Sequence, residues 1–112
     1  MSAIAIVNSL AACEYVLPRV LIKTVAAIGT PELVSATDLY FRKATIIGNK
    51  SARVANTGIV YFGVAGTNDV QAFAVGIGLV AYINAPVGCK MNFKDFWIDV
   101  ATAADGAVII YT

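Results

Sequence analysis

From Val70 to Cys89 the chain carries no charged side chain, over a stretch about as long as a bilayer-spanning helix requires. The order of residues within it points elsewhere. Odd positions hold Gln71, Phe73, Val75, Ile77, Leu79, Ala81 and Ile83, whereas even positions hold Val70, Ala72, Ala74, Gly76 and Gly78. Bulky and small residues thus alternate with the period of a strand rather than of a helix. Gly76, Gly78, Asn84, Pro86 and Gly88 would also interrupt a helix repeatedly. The run is therefore read as two strands, Val70 to Val75 and Leu79 to Ile83, around Gly-Ile-Gly, and no membrane span is expected.

The rest of the chain follows the same grammar. Tyr15 to Ile28 is β-branched enough for a strand, with Pro18 confining its start to an edge or entry position, and Gly29-Thr30-Pro31 breaks it. Glu32 to Ala36 reads as a short strand and Leu39 to Ile47 as a longer one stopped by Gly48-Asn49. Asn56-Thr57-Gly58 introduces Ile59 to Phe62, which Gly63 closes; Ala65 to Asp69 is a turn and Asn84 to Gly88 a connector. Lys90 to Phe93 leads into the most strand-prone segment. There Phe96 to Val100 and Ala107 to Tyr111 flank a connection ending in Asp105-Gly106, a dipeptide suited to a left-handed turn position, and a terminal β-hairpin is expected. Strands at near-regular spacing without an amphipathic helix predict an all-β fold, a small β-sandwich or jelly-roll-like barrel, formed by residues 1–112 as one domain. Residues 1–13 have no firm period and are compatible with an extended or irregular arm or with a short helix. They lack the basic n-region of a secretory signal and are read as mature protein.

Composition then bounds the partners. The chain is 59% hydrophobic and 13% charged, against about 45–50% and about 25% in ordinary domains. A domain of this size has much surface to cover, so the excess points to a membrane, or to burial against copies of itself or a partner, and the strand pattern above favours the second. A net charge of +1 gives no electrostatic footprint for nucleic acid, and none is expected as a partner. The chain has no histidine, which removes the usual activator of serine and cysteine nucleophiles and the commonest metal ligand. Cys13 and Cys89 stand far apart in no C-x-x-C arrangement, so neither a zinc site nor a redox dithiol is expected, and a disulfide between them is disfavoured.

Four groups of residues are candidate sites. Gly76-Ile77-Gly78-Leu79-Val80-Ala81 fits the dinucleotide fingerprint, but Asn84, Pro86 and Gly88 leave too little helix to hold a pyrophosphate, so a turn is expected. Asp95 and Asp99 would lie roughly 13 Å apart on a strand, too far for a paired-carboxylate hydrolase. Asp95 is better placed in the turn before Phe96, with Asp99 and Asp105 bonding turn amides. Arg42, Lys43, Lys50 and Arg53 cluster in sequence and are read as the solvated face and loop of one hairpin rather than a phosphate site. Trp97 is read as packing, not as a ligand platform. No catalytic, cofactor-binding or metal-binding residue is assigned, and no enzyme activity or cofactor is expected.

At Ala44-Thr45-Ile46-Ile47-Gly48, Asn56-Thr57-Gly58-Ile59-Val60-Tyr61-Phe62-Gly63, Pro86-Val87-Gly88-Cys89-Lys90, Trp97-Ile98-Asp99 and Asp105-Gly106-Ala107-Val108-Ile109-Ile110-Tyr111, the chain resembles small virion structural proteins of tailed bacteriophages, of the capsid decoration (cement) type. The likeness covers residues 44–112. It implies a β-fold, no catalytic residues, symmetric homo-oligomers that are often trimers, a place on the capsid surface against the major capsid protein or another virion protein, and assembly in the host cytoplasm. The alternative expectation is a ligand- or receptor-binding β-sandwich module of a phage tail or fibre. Residues 1–40 match nothing in that resemblance; the segment from Met1 to Leu39 is the candidate for reaching a neighbouring subunit.

Overall fold

The computed structural model describes residues 17–64 and 73–112. Two four-stranded antiparallel sheets face each other, and among the described residues there is no α-helix. The first sheet has the order β1 (Arg19–Thr24), β12 (Gly106–Tyr111), β4 (Lys43–Ile47), β9 (Val80–Asn84); the second has β2 (Glu32–Leu33), β11 (Phe96–Val100), β7 (Val60–Val64), β8 (Phe73–Val75). Two short ribbons complete it. One pairs β3 (Tyr40–Phe41) with β10 (Met91–Asn92), and the other pairs β5 (Asn49–Ser51) with β6 (Val54–Ala55). The all-β sandwich is thus as the strand pattern predicts. Residues 1–13, the start of the first expected strand, the Ala65 to Asp69 turn and the beginning of the Val70 to Val75 strand lie outside the described residues.

Alternation decides what each strand buries. In β12 the odd residues Ala107, Ile109 and Tyr111 point inward, as do Ala44 and Ile46 of β4; Ile98 and Val100 of β11 and Val60 and Phe62 of β7 meet them from the other sheet. At one end the core is aromatic. Phe41 stacks on Phe93 with ring centroids 3.9 Å apart, and Tyr111 meets Phe93 edge-on at 5.2 Å. Phe93 is placed by a single 3₁₀ turn, Phe93–Asp95, capped by Asn92, whose side-chain oxygen accepts from the Lys94 amide. Asp95 therefore does sit in the turn before Phe96.

The terminal hairpin is corrected. β11 and β12 are both strands, but they belong to opposite sheets and pack face to face instead of pairing. The connector is pulled inward because the buried Asp105 carboxylate accepts from the amides of Thr57 and Gly58, at 3.0 and 2.8 Å. The left-handed position falls on Ala104, at φ 68°, and not on Asp105-Gly106. Gly106 serves another purpose: a Cβ there would overlap the carbonyl oxygen of Lys23.

The expected Leu39 to Ile47 strand is likewise divided. Phe41 and Ala44 are both buried although three positions apart, which an uninterrupted strand cannot achieve, so the chain changes phase at Arg42. Before it, β3 pairs with β10; after it, β4 joins the first sheet. At Gly48 the chain bends where expected but resumes directly as β5, and the Gly76 backbone lies where a side chain at Gly48 would be. On the opposite flank Lys23 of β1 donates to Glu32 of β2 at 2.9 Å, linking the two sheets. That hydrogen bond, with a second from the Ala26 amide, holds the Glu32 carboxyl below the usual carboxylate range.

Candidate functional site

The outward face of the first sheet is built by the same register that fills the core. Reading across β1, β12, β4 and β9, one row runs Val20, Ile110, Thr45, Tyr82 and the next runs Ile22, Val108, Ile47, Val80. All but Thr45 are apolar or aromatic. Val20 is 62% exposed and Tyr82 71%, with Ile22, Val80 and Ile110 also on the surface. Val108 alone in the set is covered, at 5%, because β5 packs against β12 and β1 at that end. The result is an apolar shelf with the β5–β6 ribbon along one side. An apolar surface of this continuity is the mark of an interaction site, whereas single exposed apolar residues such as Val87 need no explanation.

A shallow groove of about 400 Å³ lies at the aromatic end, lined by Tyr40, Val64, Lys90, Met91, Asn92, Asp95 and Phe96. The Lys90 ammonium sits 4.4 Å from the centre of the Tyr40 ring, an attractive cation–π arrangement. Asn92 is occupied structurally, accepting from the Leu39 and Lys94 amides and donating to Asp38. Lys90, Asp95 and the Tyr40 hydroxyl are the other polar side-chain groups of the groove.

The residues weighed from sequence are not brought together. Gly76 to Leu79 is a turn, closed by the Leu79 amide on the Gly76 carbonyl, and it leads from β8 of one sheet to β9 of the other. No helix follows, so the fingerprint has no N-terminus to offer a phosphate. Asp99 accepts from the amides of Gly29 and Val100, a structural use. The basic residues do not share one hairpin: Arg42 lies between β3 and β4 and Lys43 opens β4, while Lys50 and Arg53 lie on the ribbon beyond its other end. Lys50 also reaches the buried Asp105 at 3.8 Å. Trp97 stands on the outer face of the second sheet, opposite Gly63 and Leu33, with its indole N–H buried and without a hydrogen-bond partner among the described residues. Cys89 is exposed as a free thiol, and among the described residues no cluster of ligating side chains suits a metal ion.

The apolar shelf escaped the sequence reading, although a signal for it exists. Val108-Ile109-Ile110-Tyr111 does not alternate, so this strand must be apolar on both faces. Compared with protein-family models, with curated proteins and with solved structures, the chain matches none.

Proposed function

We propose that the protein is a non-enzymatic structural protein of a tailed-phage virion, a capsid decoration (cement) protein that packs as a symmetric homo-oligomer on major capsid subunits. The observation that carries this reading is the apolar shelf of Val20, Ile22, Ile110, Val80 and Tyr82, a surface suited to burial against another protein. The motif resemblance supplies the class of partner. Repetition by symmetry lets a modest contact per copy stabilise a shell through many simultaneous attachments. The eight residues of the shelf are themselves uncharged, so the surface suits close packing more than electrostatic steering.

Electron imaging of purified virions that contain the chain tests the proposal. Density over the head surface is the expected result. Density confined to a tail tip or fibres rejects it in favour of a ligand- or receptor-binding module, the reading that the Lys90–Tyr40 groove favours. Val20→Glu on the shelf should abolish incorporation while leaving the fold intact, because Val20 is exposed.

A further inference from the structure

The edges of the two sheets are not equally protected. β2 is two residues long, β8 spans three of the described residues, and β1 follows Pro18 and carries Arg19 and Lys23. Short length, proline and charge are the devices that keep a strand edge from pairing with another chain. β9 has none of them. Val80-Ala81-Tyr82-Ile83-Asn84 is five residues long, uncharged, straight in its register against β4, and last in its sheet among the described residues.

Its free hydrogen-bonding groups can be assigned. The Ala85 amide donates to the Arg42 carbonyl and the Gly48 amide to the Leu79 carbonyl, so the odd residues of β9 are those bonded to β4. The even residues Val80, Tyr82 and Asn84 then direct N–H and C=O toward the open side, and no described residue meets them there. Their side chains are exposed as well.

We infer that β9 is a homodimer contact, pairing antiparallel with β9 of a second copy about a two-fold axis at Tyr82. In that register Tyr82 opposes the partner's Tyr82 and Val80 opposes the partner's Asn84. Each pair is of the doubly bonded kind, for about six new hydrogen bonds. A strand without charge can meet its own copy with no like-charge repulsion, and the self-complementary register closes the contact at two chains instead of propagating it. The two first sheets become one eight-stranded sheet whose apolar shelves are continuous. This inference stands apart from the identity of the partner on the shelf, and it gives two-fold contacts where the resemblance implies three-fold ones.

The test is the mass of the purified protein in solution, with two variants of one residue. Because the Tyr82 amide points to the open edge, Tyr82→Pro removes a donor to the second copy without breaking a bond to β4. Tyr82→Lys adds the charge that other edges carry. The expected result is a wild-type dimer at micromolar concentration and single chains for both variants, with unchanged circular dichroism. Hydrogen exchange keeps the proposal decidable if a variant fails to fold: the Val80, Tyr82 and Asn84 amides should be protected in the wild type and lose protection on dilution. A wild-type monomer, a trimer whose mass the variants leave unchanged, or rapid exchange of those three amides in the intact oligomer overturns it. Val20→Glu, on the far strand β1, should leave the dimer mass unchanged, so failure of the shelf reading and failure of this one are separable.

Discussion

Asn56 and Gly106 bond each other twice: the Asn56 side chain donates to the Gly106 carbonyl at 2.6 Å and accepts from the Gly106 amide at 3.1 Å. The amide side chain thereby supplies what a neighbouring strand would supply, at the point where β4 has already turned away from β12. Asp105 completes the clasp from the other direction, holding the Thr57 and Gly58 amides that precede β7. These are the two buried polar side chains among the described residues, and together they tie the start of one sheet's strand to the start of the other's.

Removing either half should therefore cost far more than a surface change. Asp105→Ala leaves two backbone amides and the Lys50 ammonium without their carboxylate, and a loss of about 3 kcal/mol is expected. Asn56→Ala orphans both groups of Gly106, for about 2 kcal/mol. Asp95→Asn, in the exposed 3₁₀ turn, is the control and should stay within about 0.5 kcal/mol. Urea unfolding with equal m-values would measure all three.

Glycine substitutions should separate crowding from backbone strain. At Gly106 a Cβ would overlap the Lys23 carbonyl and lie 2.7 Å from the Thr24 Cα, and at Gly48 it would overlap the Gly76 carbonyl. Gly106→Ala and Gly48→Ala should yield little folded protein, since backbone on both sides must move. Gly88 has open space around it but φ +83°, so Gly88→Ala should fold with a loss of about 1–2 kcal/mol. Thermal melts of the three variants would rank them; a Gly106 variant melting like the Gly88 variant would mean that the chains at this crossing separate easily.

The same clasp explains why strand positions were readable in the sequence and sheet membership was not. Bulky/small alternation and Gly, Asn and Pro breaks are local, and they placed β7, β9, β11 and β12 to within a few residues. Asp105-Gly106 was read locally too, as a hairpin turn, whereas the groups that fix Asp105 lie 47 and 48 positions away. No local pattern carries that pairing. The phase change at Arg42 is likewise set by competition between β10 and β12 for the segment, both distant in sequence. Of the candidate sites, the dinucleotide motif fails on a local signal: Asn84, Pro86 and Gly88 rule out a long helix after the glycines, and the chain continues there as β9. The shelf was missed because Val20, Ile110 and Tyr82 look like core residues until the register assigns them a face.

Glu32 predicts a pH dependence of known sign. Its carboxyl is held below the ordinary value of 4.5, first by the Lys23 hydrogen bond and then by the Ala26 amide. A depressed folded-state value means that the stabilisation is fully present above 4.5 and is lost as the pH falls through the lower folded-state value. The pair is part-exposed and solvent-screened, so its worth at neutral pH is below about 1 kcal/mol. Glu32→Gln should reduce the urea midpoint slightly at pH 7, and the gap from wild type should close on acidification. A gap that widens in acid would contradict the assignment.

Ile109 and Ile110 give the sharpest comparison, since they are adjacent, chemically identical and turned to opposite faces of β12. Ile109 is fully buried between the sheets, at 0% exposure, while Ile110 is 38% exposed on the shelf between Val20 and Thr45. Ile109→Ala removes packed methyl and methylene groups from a core that can relax only partly, and should cost about 3–4 kcal/mol. Ile110→Ala leaves no enclosed cavity, and in the isolated chain it should cost about 1 kcal/mol or less. Partner binding should invert the order. Once the shelf is covered, Ile110 becomes the buried residue, so Ile110→Ala should weaken association while Ile109→Ala, in whatever fraction folds, should not. Equilibrium unfolding of the two variants, followed by their competition with wild type for incorporation into particles, would measure both halves. Equal stability losses for the two would mean that the shelf is already covered within a single chain, and the interaction surface would have to be sought elsewhere on the molecule.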